Sequence, residues 1–108
     1  MANTPTGVHI DASANRFVID LDGTEAELLF RKRAGRLILV HTEVPEALSG
    51  RGIGGELVRA ATAHARDEHL TIVPWCPFAR RWLLDHPDET EGVTVDWDTQ
   101  PPPRDADA

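Results

Sequence analysis

Four glycines occupy six positions in SGRGIGG, residues 49–55, between a strand-like run that ends at Pro45 and a segment with helical periodicity. Glycine inside a helix costs about 1 kcal/mol relative to alanine, so bare backbone must serve a purpose here. Two purposes fit: a tight strand-to-helix connection, or a ligand that has to come very close. A helix start leaves backbone N–H groups without partners and carries partial positive charge. Glycines ahead of it would let an anion approach, with Arg51 as a local cation. The pattern is not a Walker loop, because no Gly-Lys-Ser/Thr follows. Nor is it a dinucleotide fingerprint: Gly50, Gly52 and Gly54 recur at every second residue, and position 57 is Leu.

The flanks set the fold class. NRFVIDLDGTEAELLFRKRAGRLILVHTEV, residues 15–44, reads as an antiparallel three-strand meander. Phe17, Ile19 and Leu21 alternate on one face, as do Ala26, Leu28 and Phe30. Asp22-Gly23 and the RAGR around Gly35 mark the two hairpin turns. The third strand, about Arg36 to Val44, is more continuously apolar, as for a strand covered on both sides. Leu37, Leu39, His41 and Glu43 would then share one face, apolar at one end and polar at the loop end. After the glycines the period changes, and Ile53, Leu57, Val58, Ala61 and Ala65 form a helical stripe over about 52–68. LTIVP supplies a short strand ended by Pro74. CPFARRWLLDHPD supplies a second helix with Pro77 in its first turn and Phe78, Trp82 and Leu83 repeating toward the core. GVTVDW is read as a short last strand. The expected fold is α+β, or mixed α/β: three strands, helix, strand, helix, within one domain over residues 8–98. Residues 1–7 and 99–108, rich in proline, small and polar residues, are expected to be flexible ends.

With 108 residues there is room for one modest core. The net charge of −7 argues against broad nucleic-acid binding, which needs a basic surface. No apolar run approaches the ~20 residues that span a bilayer, the N-terminus does not read as a secretory signal, and the one cysteine cannot form an internal disulfide. These features suit a cytoplasmic protein without a membrane partner. The five histidines suggest no metal site: His64 and His69, five apart, fall on different sides of a helix.

HTEVPEALSGRGIGGELVRAATAHAR followed by TIVPWCPFARRWLLDHPD closely resembles the small single-domain N-acetyltransferases of the GNAT superfamily, over about residues 15–90. The family's loop, Gln/Arg-x-x-Gly-x-Gly/Ala, is matched by Ser49-Gly50-Arg51-Gly52-Ile53-Gly54, with Ser49 departing from the usual first residue. The resemblance implies a minimal GNAT fold and acetyl-coenzyme A as cofactor, its pyrophosphate on N–H groups from Arg51 to Gly55. It also implies that the strand before the loop splays from the next one. Backbone around Thr42, Glu43 and Val44 would then line the pantetheine arm and polarise the thioester carbonyl.

Acetyl transfer needs a neutral amine held near the thioester. His41 and Glu43 are candidates to take the amine's proton, against the plainer reading of polar residues where a strand leaves the core. Cys76 precedes a helix whose dipole would favour thiolate, which suits a covalent relay, against packing or cofactor lining. Arg80 and Arg81 are candidates for the cofactor's 3′-phosphate, against simple solvation. Trp75, Phe78 and Trp82 read as core. The acceptor is an amine on a small molecule or a protein. A non-catalytic coenzyme A-binding module or sensor is the alternative function.

Overall fold

Alternating apolar residues and two tight turns fold the first half of the chain into a meander. In the computed structural model, which describes residues 7–101, the strands are β1 (Val8–Asp11), β2 (Arg16–Leu21), β3 (Thr24–Arg33) and β4 (Arg36–Glu43). Both expected hairpins are present. Asp22 and Gly23 have φ of 56° and 81°, and Ala34 and Gly35 have 51° and 78°. Two successive positive-φ residues match the right-handed twist of the flanking strands. The meander has one strand more than expected: β1 pairs antiparallel with β2, from Val8↔Ile19 to Asp11↔Arg16. Four residues beside a short polar end carry too little periodicity to signal a strand. The expectation of a flexible N-terminus falls almost wholly outside the described residues.

Helix α1 (Ile53–Glu68) carries the chain across one face of the sheet to β5 (Thr71–Pro74), which lies parallel to β4 and completes the order β1-β2-β3-β4-β5. Its expected stripe is inside: Ile53, Leu57, Val58, Ala61 and Ala65 are all buried. They meet Phe17, Ile19, Ala26, Leu28, Phe30, Leu37 and Leu39 from the sheet. Helix α2 (Pro77–Asp85) packs beside α1, adding Ala79, Trp82 and Leu83 to the same core. Leu37, Ile38 and Leu39 are consecutively buried, so β4 is covered on both faces there, as its composition suggested.

Two expectations are corrected. GVTVDW does not form a strand: it makes a single parallel bridge, Ile72↔Val95. Asp96 then takes hydrogen bonds from the Asp98 and Thr99 N–H groups and the Thr99 hydroxyl, closing a turn that ends the pairing. Of the end expected to be flexible, Thr99 joins this turn, and residues 102–108 lie outside the described chain.

The second correction concerns β4. Its register against β3 moves from Leu29↔His41 to Phe30↔Leu39, so Val40 has no opposite number. Such a bulge reverses the in–out alternation beyond it. Directly paired residues share a face, so Thr42 (opposite Leu28) and Leu39 (opposite Phe30) face the core. His41 and Glu43 therefore lie on the opposite face from Leu37 and Leu39. Period-two counting placed all four together because it contains no signal for an inserted residue.

Candidate active site

The glycines divide into two jobs. After Pro45 a single 3₁₀ turn, Glu46–Leu48, is closed by Ser49, whose N–H and hydroxyl both bond Glu46 O at 3.0 and 2.8 Å. Gly50 and Gly52 follow with φ of 78° and 74°, where a Cβ would touch nothing within 4 Å. Conformation requires glycine there, since the left-handed region is costly for other residues. Gly54 and Gly55 are ordinary helix residues with the reverse problem. A Cβ at Gly54 would lie 2.8 Å from Phe78 Cζ, and one at Gly55 would lie 2.6 Å from Trp82 Nε1. Their bare backbone admits α2 against the first turn of α1.

That close approach builds a groove of about 370 Å³. Thr42 and Val44 at the end of β4 form one side, Leu48 and Ile53 its apolar interior, and Phe78 the other side. The loop closes the end through Ser49, Gly50 and Gly52, with Gly54 and Gly55 behind. Gly52 is the N-cap and offers no side chain, and the first helical bond is Glu56 N–H to Gly52 O at 3.1 Å. The N–H groups of Ile53, Gly54 and Gly55 are thus left uncapped at the groove, where the helix dipole favours an anion. Arg51 is exposed beside the loop and does not line the groove.

A gap opens from the groove into the sheet. β4 and β5 pair as far as Leu39↔Pro74, and Cys76 N–H adds one last bond to Leu39 O at 2.9 Å. Beyond it β4 runs on to Glu43 while the chain turns into α2, so the main chain of Thr42, Glu43 and Val44 has no β5 neighbour. Cys76 is the N-cap of α2, 4% exposed, with Sγ 3.3 Å from Thr42 Oγ1. It stands behind Thr42 rather than in the groove wall. His41 Nε2 and Glu43 Oε1 are 3.0 Å apart on the far face of the sheet, both more than half exposed.

The expected residues therefore meet only in part. Thr42, Val44, Ser49, Gly50, Gly52, Ile53, Gly54 and Gly55 gather on one groove, and Cys76 lies one side chain behind it. His41 and Glu43 do not face the groove. Arg80 is bonded to Trp97 O at 3.0 Å and Arg81 is paired with Asp85 at 3.4 Å, both away from the groove. Phe78, expected in the core, is 45% exposed and forms a groove wall. Its signal in the sequence is Gly54, a helix glycine that no turn explains. Among the described residues no helix is long and apolar enough to cross a membrane.

Comparison with known proteins places this geometry among relatives. A family profile for GCN5-related N-acetyl-transferases matches residues 16–93. Protein NATD1 of Gallus gallus is 33% identical over 86 residues, covering 77% of this chain and 78% of its own. Protein NATD1 of Homo sapiens is 33% identical over the same length, with 77% and 76% covered. A GCN5-like protein from Staphylococcus aureus, solved by NMR in solution, superposes with a TM-score of 0.64 at 29% identity, over 86% of this chain and 93% of that one.

Proposed function

This chain belongs to the GCN5-related N-acetyltransferase family, and we propose that it transfers the acetyl group of acetyl-coenzyme A directly to an amine. Membership carries acetyl-coenzyme A as the cofactor, which supplies an activated acetyl thioester. The residues present suit that cofactor. Uncapped N–H groups of Ile53, Gly54 and Gly55 and the side-chain-free Gly50 and Gly52 make an anion cradle fit for a pyrophosphate. Arg51 adds charge at its rim, and Ser49, held by Glu46, keeps the loop in shape. The groove leads from this cradle past Val44 and Thr42 toward the gap, an apolar course suited to the pantetheine arm.

At the gap, the backbone N–H groups around Thr42, Glu43 and Val44 that point away from β3 are available to donate to an oxygen on which negative charge builds. An amine entering from the open sheet face meets His41 and Glu43, which are positioned to take its proton there. The bulge at Val40 is what separates the two approaches, cofactor on the helix side and acceptor on the other. Cys76 packs behind Thr42 and takes no covalent part.

The single observation that carries this reading is the groove joining the uncapped start of α1 to the end of β4 that β5 leaves open. Its test is an NMR titration with acetyl-coenzyme A, in which amide resonances of residues 51–55 and 42–44 move together. Unmoved resonances in an intact fold would refute it. For the direct route, Cys76→Ala is expected to retain turnover. An acetylated Cys76 found by mass spectrometry, with turnover lost in the variant, would establish the relay instead.

A second reading is favoured by one specific observation: among the described residues, no His, Asp or Glu lines the groove. A coenzyme A-binding module would need none. Cofactor binding without acetyl loss across a panel of amines would select it.

A further inference from the structure

Among the described residues, two side chains that line the groove carry a polar atom, Thr42 and Ser49. Ser49 sits in the glycine loop, and its hydroxyl is already given to Glu46 O at 2.8 Å. Thr42 stands at the β4 side, where its neighbours on the groove are Val44, Leu48, Ile53 and Phe78. A hydroxyl has one proton to give and two lone pairs with which to receive. Where the Thr42 proton points is therefore decided by what stands behind it.

What stands there is Cys76, and its main chain is fixed. Its N–H donates to Leu39 O at 2.9 Å, the last bond between β4 and the chain leaving β5, and its carbonyl accepts the Arg80 N–H at 2.9 Å as α2 begins. Sγ is thereby held 3.3 Å from Thr42 Oγ1, in a residue only 4% exposed. Either atom of this pair is able to donate, but oxygen is the better acceptor of the two. When the groove offers an acceptor, one arrangement satisfies both groups: S–H to Oγ1, and the Thr42 O–H onward into the groove. In such a chain each hydrogen bond polarises the next.

Acetyl transfer brings such an acceptor. As the acetyl group departs, negative charge is left on the cofactor's sulfur, and charge beside hydrocarbon side chains is costly without a donor. The backbone N–H groups at the end of β4 face the carbonyl oxygen in the reading above. Among the described residues, Thr42 is then the side-chain donor on the groove that remains for the sulfur.

We propose that the Thr42 hydroxyl donates a hydrogen bond to the cofactor's sulfur, and that Cys76 is the positioning residue that turns the hydroxyl proton into the groove. The proton stays on Thr42 and no bond to Cys76 is made or broken; the pair acts by making the sulfur a better leaving group. The contact rests on the cofactor reading above, and a coenzyme A-binding module would carry it as well as an enzyme.

The test reads the thiol of bound coenzyme A rather than turnover. Coenzyme A is titrated with pH in excess protein, and its thiolate is followed by ultraviolet absorbance. A matched sample with desulfo-coenzyme A subtracts the signal of Cys76. The bound thiol is expected to ionise about one pH unit below the free cofactor, the size of effect expected of one hydrogen bond to a charged group. Thr42→Val, similar in shape but without the hydroxyl, is expected to lose that shift, and Thr42→Ser to keep it. Cys76→Ala is expected to lose part of it and Cys76→Ser to restore it, a pattern that packing alone does not produce. A bound thiol that ionises no lower than the free one in the unaltered protein overturns the proposal with no variant needed. So does a full shift in Thr42→Val, and a full shift in Cys76→Ala overturns the positioning role. If neither ligand binds, the cofactor reading falls together with the contact; if both bind and the thiol is unshifted, the contact falls alone.

Discussion

Replacing Gly55 by alanine is expected to destabilise the protein, while the same change at Gly54 does not. At Gly55 the new methyl would lie 2.6 Å from Trp82 Nε1 and 3.3 Å from Cδ1. Trp82 has nowhere to go: it is 9% exposed, stacked on His86 at 4.1 Å and beneath the Arg59 guanidinium at 5.4 Å. Overpacking costs about 1–3 kcal/mol, against about 1 kcal/mol regained in helix propensity. The net loss of about 1 kcal/mol lowers the melting temperature by about 4–8 °C in a domain of this size. At Gly54 the methyl meets Phe78 at 2.8 Å, but that half-exposed ring can swing into solvent. The propensity term then prevails, for a gain of up to about 1 kcal/mol. Thermal melts followed by circular dichroism, with urea midpoints as a cross-check, decide it. A Gly55→Ala protein as stable as Gly54→Ala would refute the division of the glycines made above. Displacing Phe78 also reshapes the groove, so Gly54→Ala is expected to bind acetyl-coenzyme A more weakly despite its stability.

Three further expectations concern other parts of the chain. Ala34 holds φ of 51° in the second hairpin turn. Ala34→Asn, which tolerates that region, is expected to recover part of the roughly 1–2 kcal/mol penalty and raise the urea midpoint. The Thr99 hydroxyl, with the Thr99 and Asp98 N–H groups and Arg36, holds the Asp96 carboxyl well below the usual carboxylate range. Its folded pKa is below the unfolded one, so its stabilising effect is complete above about pH 4 and is lost as pH falls toward the folded value. Asp96→Asn should therefore be less stable at neutral pH, with the deficit shrinking in acid urea titrations. Burial, with the Lys32 ammonium 3.3 Å away, holds His64 below the ordinary imidazole value. A depressed base stabilises fully above about pH 6.5 and progressively less below it. His64→Gln should flatten that part of the stability profile.

Much of the architecture was written in local patterns. The 3.6-residue stripe of α1, the paired turns at Asp22-Gly23 and Ala34-Gly35, and the stop at Pro74 each act within a few residues, so reading along the chain finds them. The uncapped helix start was legible for the same reason: a helix preceded by glycines is a property of a short segment. The strand β1 was not, because four residues owe their order to pairing with β2 rather than to any pattern of their own.

What the sequence by itself determined is the two helices, the strands β2 to β5 and where the bare backbone of the loop falls. What only the tertiary structure decided is how faces and neighbours are assigned. An unpaired Val40 turns Thr42 toward the core and sends His41 and Glu43 to the far side, because pairing with β3, not counting along β4, sets the phase. Gly54 and Gly55 are small for the sake of Phe78 and Trp82, more than twenty positions later, and only packing α2 against α1 shows it.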